Sequence, residues 1–227
     1  VTPVALSADA SPPLLARPER LHLRELWSLV PTGVITSGLG GITRGSFIGL
    51  VAVYATRRGL TVNEIGLFVT MPTLGGLLLS VPISSLSDRM DRRLVGAIAG
   101  LIATAGGLGL MWFGPDHVLG LASMAIVGAM TYPLYSIAGA YTNDWVPAEK
   151  LTAAASQLVL LYGAGAFLGP ILGSLMMGMV GNDGYAWIVM AAHGSIALFL
   201  LARIVQYPSS VRAKPWNEVP VAGRLLY

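Results

Sequence analysis

Six long stretches of this chain carry almost no charge, and that property restricts the fold more than any motif it contains. Crossing a hydrocarbon core takes about 20 mostly apolar helical residues. Stretches of that length cover 31–55, 65–86, 94–113, 118–142, 152–180 and 185–202, and only the first is interrupted, by Arg44. Lipid offers backbone amides no partner, so each stretch must close its own hydrogen bonds as a helix. None shows the alternation of a membrane β-strand. The expected fold is all-α, a polytopic six-transmembrane-helix bundle over 31–204. A cytoplasmic tail with a short interfacial helix precedes it (1–30), and a cytoplasmic tail follows (205–227). Of all residues 54% are hydrophobic and 11% charged, whereas roughly a quarter are charged in a soluble domain. A soluble enzyme is excluded.

Lysine and arginine set the orientation. Counting alternate connections, Arg17, Arg20, Arg24, Arg89, Arg92, Arg93, Lys150, Arg203, Arg212, Lys214 and Arg224 fall on one side and only Arg57 and Arg58 on the other. Both termini are therefore expected in the cytoplasm, the membrane being a bacterial inner membrane. The net charge of +3 is then a topology signal and points to no nucleic-acid partner. With no cysteine in the sequence, neither a disulfide framework nor a thiolate metal site is available. No nucleophile constellation or ligand cluster supports an enzyme in the membrane, and no cofactor is expected.

In 21–30, Leu21, Leu23, Leu26, Trp27, Leu29 and Val30 alternate with His22, Arg24 and Glu25, the pattern of a short interfacial helix ending at Pro31. Arg44 lies about midway along the first stretch, where a guanidinium is costly and must face protein or water. It marks either a contact for an anionic or polar solute in a central cavity or a pair with a neighbouring acid or backbone carbonyl, yet no carboxylate of this chain sits at matching depth. Thr61 or Asn63 suits a helix cap, with Glu64 in the first turn. Tyr132 and Tyr135, three residues apart, share a helix face and either line a solute path in a cavity or hydrogen-bond between helices; Gln157 and Tyr162 are lesser cavity candidates. Gly165, Gly169 and Gly173 recur every fourth residue and form a flat stripe for close helix approach, with Pro170 supplying a bend. His117 reads as a solvated loop residue and His193 as a structural one. No three-plus-three inverted repeat is legible.

Between the second and third stretches, residues 82–94 read Pro-Ile-Ser-Ser-Leu-Ser-Asp-Arg-Met-Asp-Arg-Arg-Leu. This segment resembles the loop signature of the major facilitator superfamily, which joins the second and third helices of each six-helix half. Leu86, Asp88, Arg89, Arg92 and Arg93 match; Ser84 and Asp91 stand where the family pattern has glycines. Serine keeps the packing tight, and Asp91 adds a carboxylate expected to pair with Arg92 or Arg89. The resemblance implies a cytoplasmic gate in which Asp88 acts as a latch favouring one face of an alternating-access cycle. The glycine-proline stripe is similar to a motif on the fifth helix of superfamily halves. The basic exit and the tail before the first stretch resemble a C-terminal half following a central linker. The chain is similar to the YcaD-like branch, whose second halves also carry Ser-Asp-Arg and Asp-Arg-Arg.

The implied activity is that of half a secondary transporter moving a small solute, open to proton coupling although no acid lies at mid-depth. Its partners would be the bilayer, the solute and a second six-helix bundle. The other expectation is a non-transporting six-helix subunit that scaffolds a larger membrane complex.

Overall fold

A computed structural model describes residues 21–207; the tails expected over 1–20 and 208–227 lie outside the described residues. A short helix α1 (Leu23–Leu29) precedes six long ones: α2 (Pro31–Arg57), α3 (Val62–Arg89), α4 (Arg92–Phe113), α5 (Val118–Trp145), α6 (Leu151–Val180) and α7 (Gly184–Gln206). All six long helices are apolar enough to cross a membrane. The chain is an integral membrane protein in a lipid environment.

The boundaries follow local chemistry. Pro31 opens α2 at a position where a missing N–H costs nothing. The backbone N–H and hydroxyl of Thr61 both donate to the Glu64 carboxylate, at 2.8 and 2.7 Å, and close the start of α3 as the sequence suggests. His117 is exposed in the turn before α5, in keeping with its reading as a solvated loop residue, and its Nδ1 also accepts from the Leu119 N–H at 3.1 Å and caps α5. Three connections at one end turn through glycines of positive φ, Gly59 (83°), Gly114 (78°) and Gly181 (77°), a region where a side chain is strained. Pro147 precedes the start of the fifth span, and a 3₁₀ turn (Ala148–Lys150) leads into α6.

Packing pairs the helices in a pattern with internal symmetry. The broadest seams are α2 with α6, α3 with α5, and α4 with α7. Exchanging the first three spans for the last three converts the α2–α6 seam into α5–α3 and the α2–α7 seam into α5–α4, and leaves α4–α7 and α2–α5 in place. This is the contact map of an inverted repeat, absent from the sequence because backbone pairing, not side-chain identity, carries it.

Small residues make both long seams possible. A methyl group on Gly41 or Gly45 would collide with the Tyr162 or Ala166 carbonyl of α6, and one on Gly165 or Gly169 with the Gly38 or Ile42 carbonyl of α2. Across the partner seam, Gly75 faces the Ala125 carbonyl and Gly128 faces Pro72. The symmetry extends to proline, since Pro170 of α6 packs on Gly49 of α2 as Pro72 of α3 packs on Gly128 of α5. Backbones brought this close gain dispersion and Cα–H···O contacts, which in lipid take the place of a hydrophobic driving force. Gly173 meets the Leu50 side chain and completes the stripe.

The outermost spans are α3 and α6; only Phe68, Pro72, Gly75, Gly76 and Ser87 of α3 are buried, and Leu77, Leu78 and Phe167 are more than 70% exposed. The short α1 does more than lie at an interface. Leu21 and Leu26 are buried with Val30, Tyr141 and Leu158, and Glu25 accepts from Lys150 Nζ at 2.7 Å.

Candidate functional site

Two clusters of polar residues differ in depth. The first lies at the end of the bundle where α3, α5 and α7 finish and α4 begins, here called the basic end. Helix α3 continues through Ser84, Leu86, Asp88 and Arg89, so only Met90 and Asp91 separate it from α4. The expected loop is a two-residue break, and most of its signature is helical.

Asp91 caps α4 by accepting from the Arg93 N–H at 2.9 Å. The same carboxylate takes the Arg93 side chain as a fork, Nε to Oδ1 at 3.1 Å and Nη2 to Oδ2 at 2.7 Å. The expected pairing of Asp91 with Arg92 or Arg89 is thus replaced, because an N-cap aims its side chain at residues two and three positions ahead. The remaining Arg93 nitrogen, Nη1, donates to the carbonyls of Arg203 and Tyr207 at 3.2 and 2.9 Å and ties α4 to the last turn of α7.

Arg92 is held on other sides. Its Nε donates to Asp144 of α5 at 2.8 Å, and its Nη1 reaches Asp88 at 2.6 Å and the Ser87 hydroxyl at 3.3 Å. Ser84 meets Ser136 of α5 across 3.3 Å. The side chain of Asp88 is 65% exposed, whereas Asp144 is 17% and Arg92 11% exposed. Leu86 and Arg89 face outward. Asp144 was missed by sequence reasoning; an acid closing the fourth span on the side of Arg92 was the available signal.

The second cluster lies at mid-depth. The Arg44 guanidinium stacks over the Tyr132 ring, Cζ 4.2 Å from its centroid. That ring lies flat on α3, since Gly76 has no side chain to hold it off. The Tyr132 hydroxyl bonds to Thr73 Oγ1 at 3.0 Å. Together with Phe47, Ile48, Val51, Ala52, Val69 and Pro72, these residues line a cleft of about 300 Å³ between α2, α3 and α5. Tyr135 and Tyr162 meet nearby with ring centroids 4.7 Å apart, and Tyr162 lies within electrostatic reach of Arg44 and Tyr132. Thr73 was missed by sequence reasoning; a hydroxyl one residue after Pro72 in an otherwise apolar span was its only mark.

Gln157 is not in this group. Its side-chain amide donates to the Leu21 carbonyl at 3.2 Å and anchors the segment before α1. His193 is fully buried away from the cleft, its Nε2 2.8 Å from the Thr131 hydroxyl and its Nδ1 2.9 Å from the Val189 carbonyl, which joins α5 to α7. Among the described residues no three His, Cys, Asp or Glu side chains come together as a metal would need.

Residues 33–225 match the family described as the Major Facilitator Superfamily. The chain belongs to that superfamily. Its six membrane helices form one half of the superfamily fold. Similar proteins include an uncharacterized MFS-type transporter YcaD from Escherichia fergusonii, 27% identical over 76% of this chain and 44% of that protein. An MFS-type transporter of Enterobacter sp. is 30% identical over 73% of this chain and 42% of its own length. YcaD of Shigella flexneri is 29% identical over the same shares, 73% and 42%. The chain thus spans less than half the length of these relatives. No solved structure matches it.

Proposed function

We propose that the chain is half of a secondary transporter, its mid-depth cleft forming one wall of a solute pathway completed by a second six-helix bundle. The observation that carries this reading is Arg44 at the cleft: a guanidinium midway through a span, with no carboxylate partner among the described residues. A charge in that position costs about 2.5–3.5 kcal/mol on insertion scales, and packing alone gives no reason to keep it. Family membership supports the same reading. The basic end is then cytoplasmic, as the arginine asymmetry requires, and the chain is the C-terminal half in an inner membrane with both termini inside.

In this scheme the two arginines of the signature have separate duties. Arg93, enclosed by Asp91 and the end of α7, fixes the bundle. Arg92 gathers Asp144 and the exposed Asp88, and Asp88 remains free enough to exchange partners when the second bundle rocks away. Asp88 is the latch.

A test needs no knowledge of the solute. The native sequence contains no cysteine, so Thr73→Cys in the cleft gives a single reactive position. In right-side-out and inverted vesicles, a membrane-impermeant maleimide is expected to label it from both faces, and Asp88→Asn is expected to shift the ratio toward one face. Labelling from one face alone in both backgrounds would favour the scaffold over the transporter.

A further inference from the structure

We infer that the cleft beside Arg44 takes a small organic monoanion, a carboxylate or comparable acid with an apolar body; the assignment rests on the reading of this cleft as the solute site. The guanidinium carries five N–H donors in one plane. The Arg44 Cζ lies 4.2 Å from the Tyr132 ring centroid, and Arg44 makes no hydrogen bond or ion pair among the described residues. A ring face returns about 0.5–2 kcal/mol to a cation but supplies neither a counter-charge nor an acceptor oxygen, so the N–H donors of Arg44 remain open to a ligand. Planar donors of that kind match the two oxygens of a carboxylate, and a desolvated site strengthens the match.

The rest of the wall selects what is attached to the charge. Phe47, Val51, Val69 and Pro72 are apolar, while Thr73 and Tyr132 contribute hydroxyls at one edge. The volume of about 300 Å³ suits a compact solute at the lower end of ligand pockets. A cation would meet Arg44 at low dielectric and be repelled. A dianion would bring a second charge with no second cation among the residues lining the cleft, which favours one negative charge. The tilted Tyr135–Tyr162 pair adds aromatic surface on the α6 side.

The experiment uses the chain in zwitterionic nanodiscs with three fluorinated probes of similar shape: 4-fluorobenzoate, 4-fluorobenzyl alcohol and 4-fluorobenzylamine. Fluorine line broadening reads weak binding without requiring transport. Selective broadening of 4-fluorobenzoate is expected. Arg44→Gln is expected to weaken it about tenfold or more, the loss given by removal of a charged hydrogen-bonding partner. Arg44→Lys, which retains the charge and loses the fork, is expected to fall between, and it keeps the test valid if the neutral variant folds poorly. Equal broadening of the amine, unchanged benzoate binding in Arg44→Gln, or no binding of any probe would overturn the assignment. Selective benzoate binding accompanied by one-sided labelling of Thr73→Cys would preserve the anion site and remove transport. Two-sided labelling without benzoate binding would do the reverse.

Discussion

The arginines at 93 and 44 have the same chemistry and opposite surroundings. Arg93, 3% exposed, sits at the basic end with both oxygens of Asp91 and two carbonyls of α7 around it. Arg44 lies at mid-depth, over an aromatic face and beside an apolar cleft, with no acid in contact among the described residues. At the basic end every guanidinium nitrogen of Arg93 has a partner; the hydrogen-bond demand is closed within the half-bundle. In the cleft it is left open. Saturated charge is architecture, and unsaturated charge at a depth where charge is expensive marks a place for something that arrives from outside.

The comparison is broken most directly at Arg93. Arg93→Ala leaves the Asp91 carboxylate and the α7 carbonyls without their donor, and about 3–5 kcal/mol of stability should be lost in reversible unfolding from mixed micelles, the range found when one partner of a buried pair is removed. A smaller effect is expected at Arg92 and Asp144, which bridge α4 and α5 at 2.8 Å. In a double-mutant cycle of Arg92→Gln and Asp144→Asn the coupling should be about 1 kcal/mol, because both groups retain some solvent. Additive losses would show that the bridge contributes nothing. Smallest of all should be Arg44→Gln, which is expected to leave unfolding within about 0.5 kcal/mol of the wild type or to raise stability. A loss matching that of Arg93→Ala would place Arg44 among the structural arginines and erase the contrast.

Much of the membrane architecture was legible in the chain. The six spans, the Thr61–Glu64 cap and the glycine stripe at 165, 169 and 173 come from patterns whose physical cause is local: hydrophobic length, end-group satisfaction, backbone clearance. Span ends were less legible. The signature 86–89 reads as a loop because it is polar, yet it is helical because α3 can continue past the apolar stretch where its end is solvated and paired through Asp88. Gln157 reads as a cavity residue because it is polar within an apolar stretch, and tertiary contact gives it to the Leu21 carbonyl instead. Arg44, Tyr132, Tyr135 and Tyr162 could each be suspected from depth and residue type. Their convergence depends on which helix faces which.

The sequence by itself determined how many times this chain crosses the membrane and which residues are too polar to face lipid. Both follow from transfer free energies that act residue by residue, and one dimension of sequence suffices to sum them. Tertiary structure alone decided that Asp91 serves Arg93, that Asp144 serves Arg92 and that no acid among the described residues serves Arg44. Those outcomes are set over a few ångströms by helix rotation and seam packing, in which Gly76 lets Tyr132 lie flat and Gly128 lets α5 approach Pro72. Such short-range geometry has no counterpart in composition or spacing.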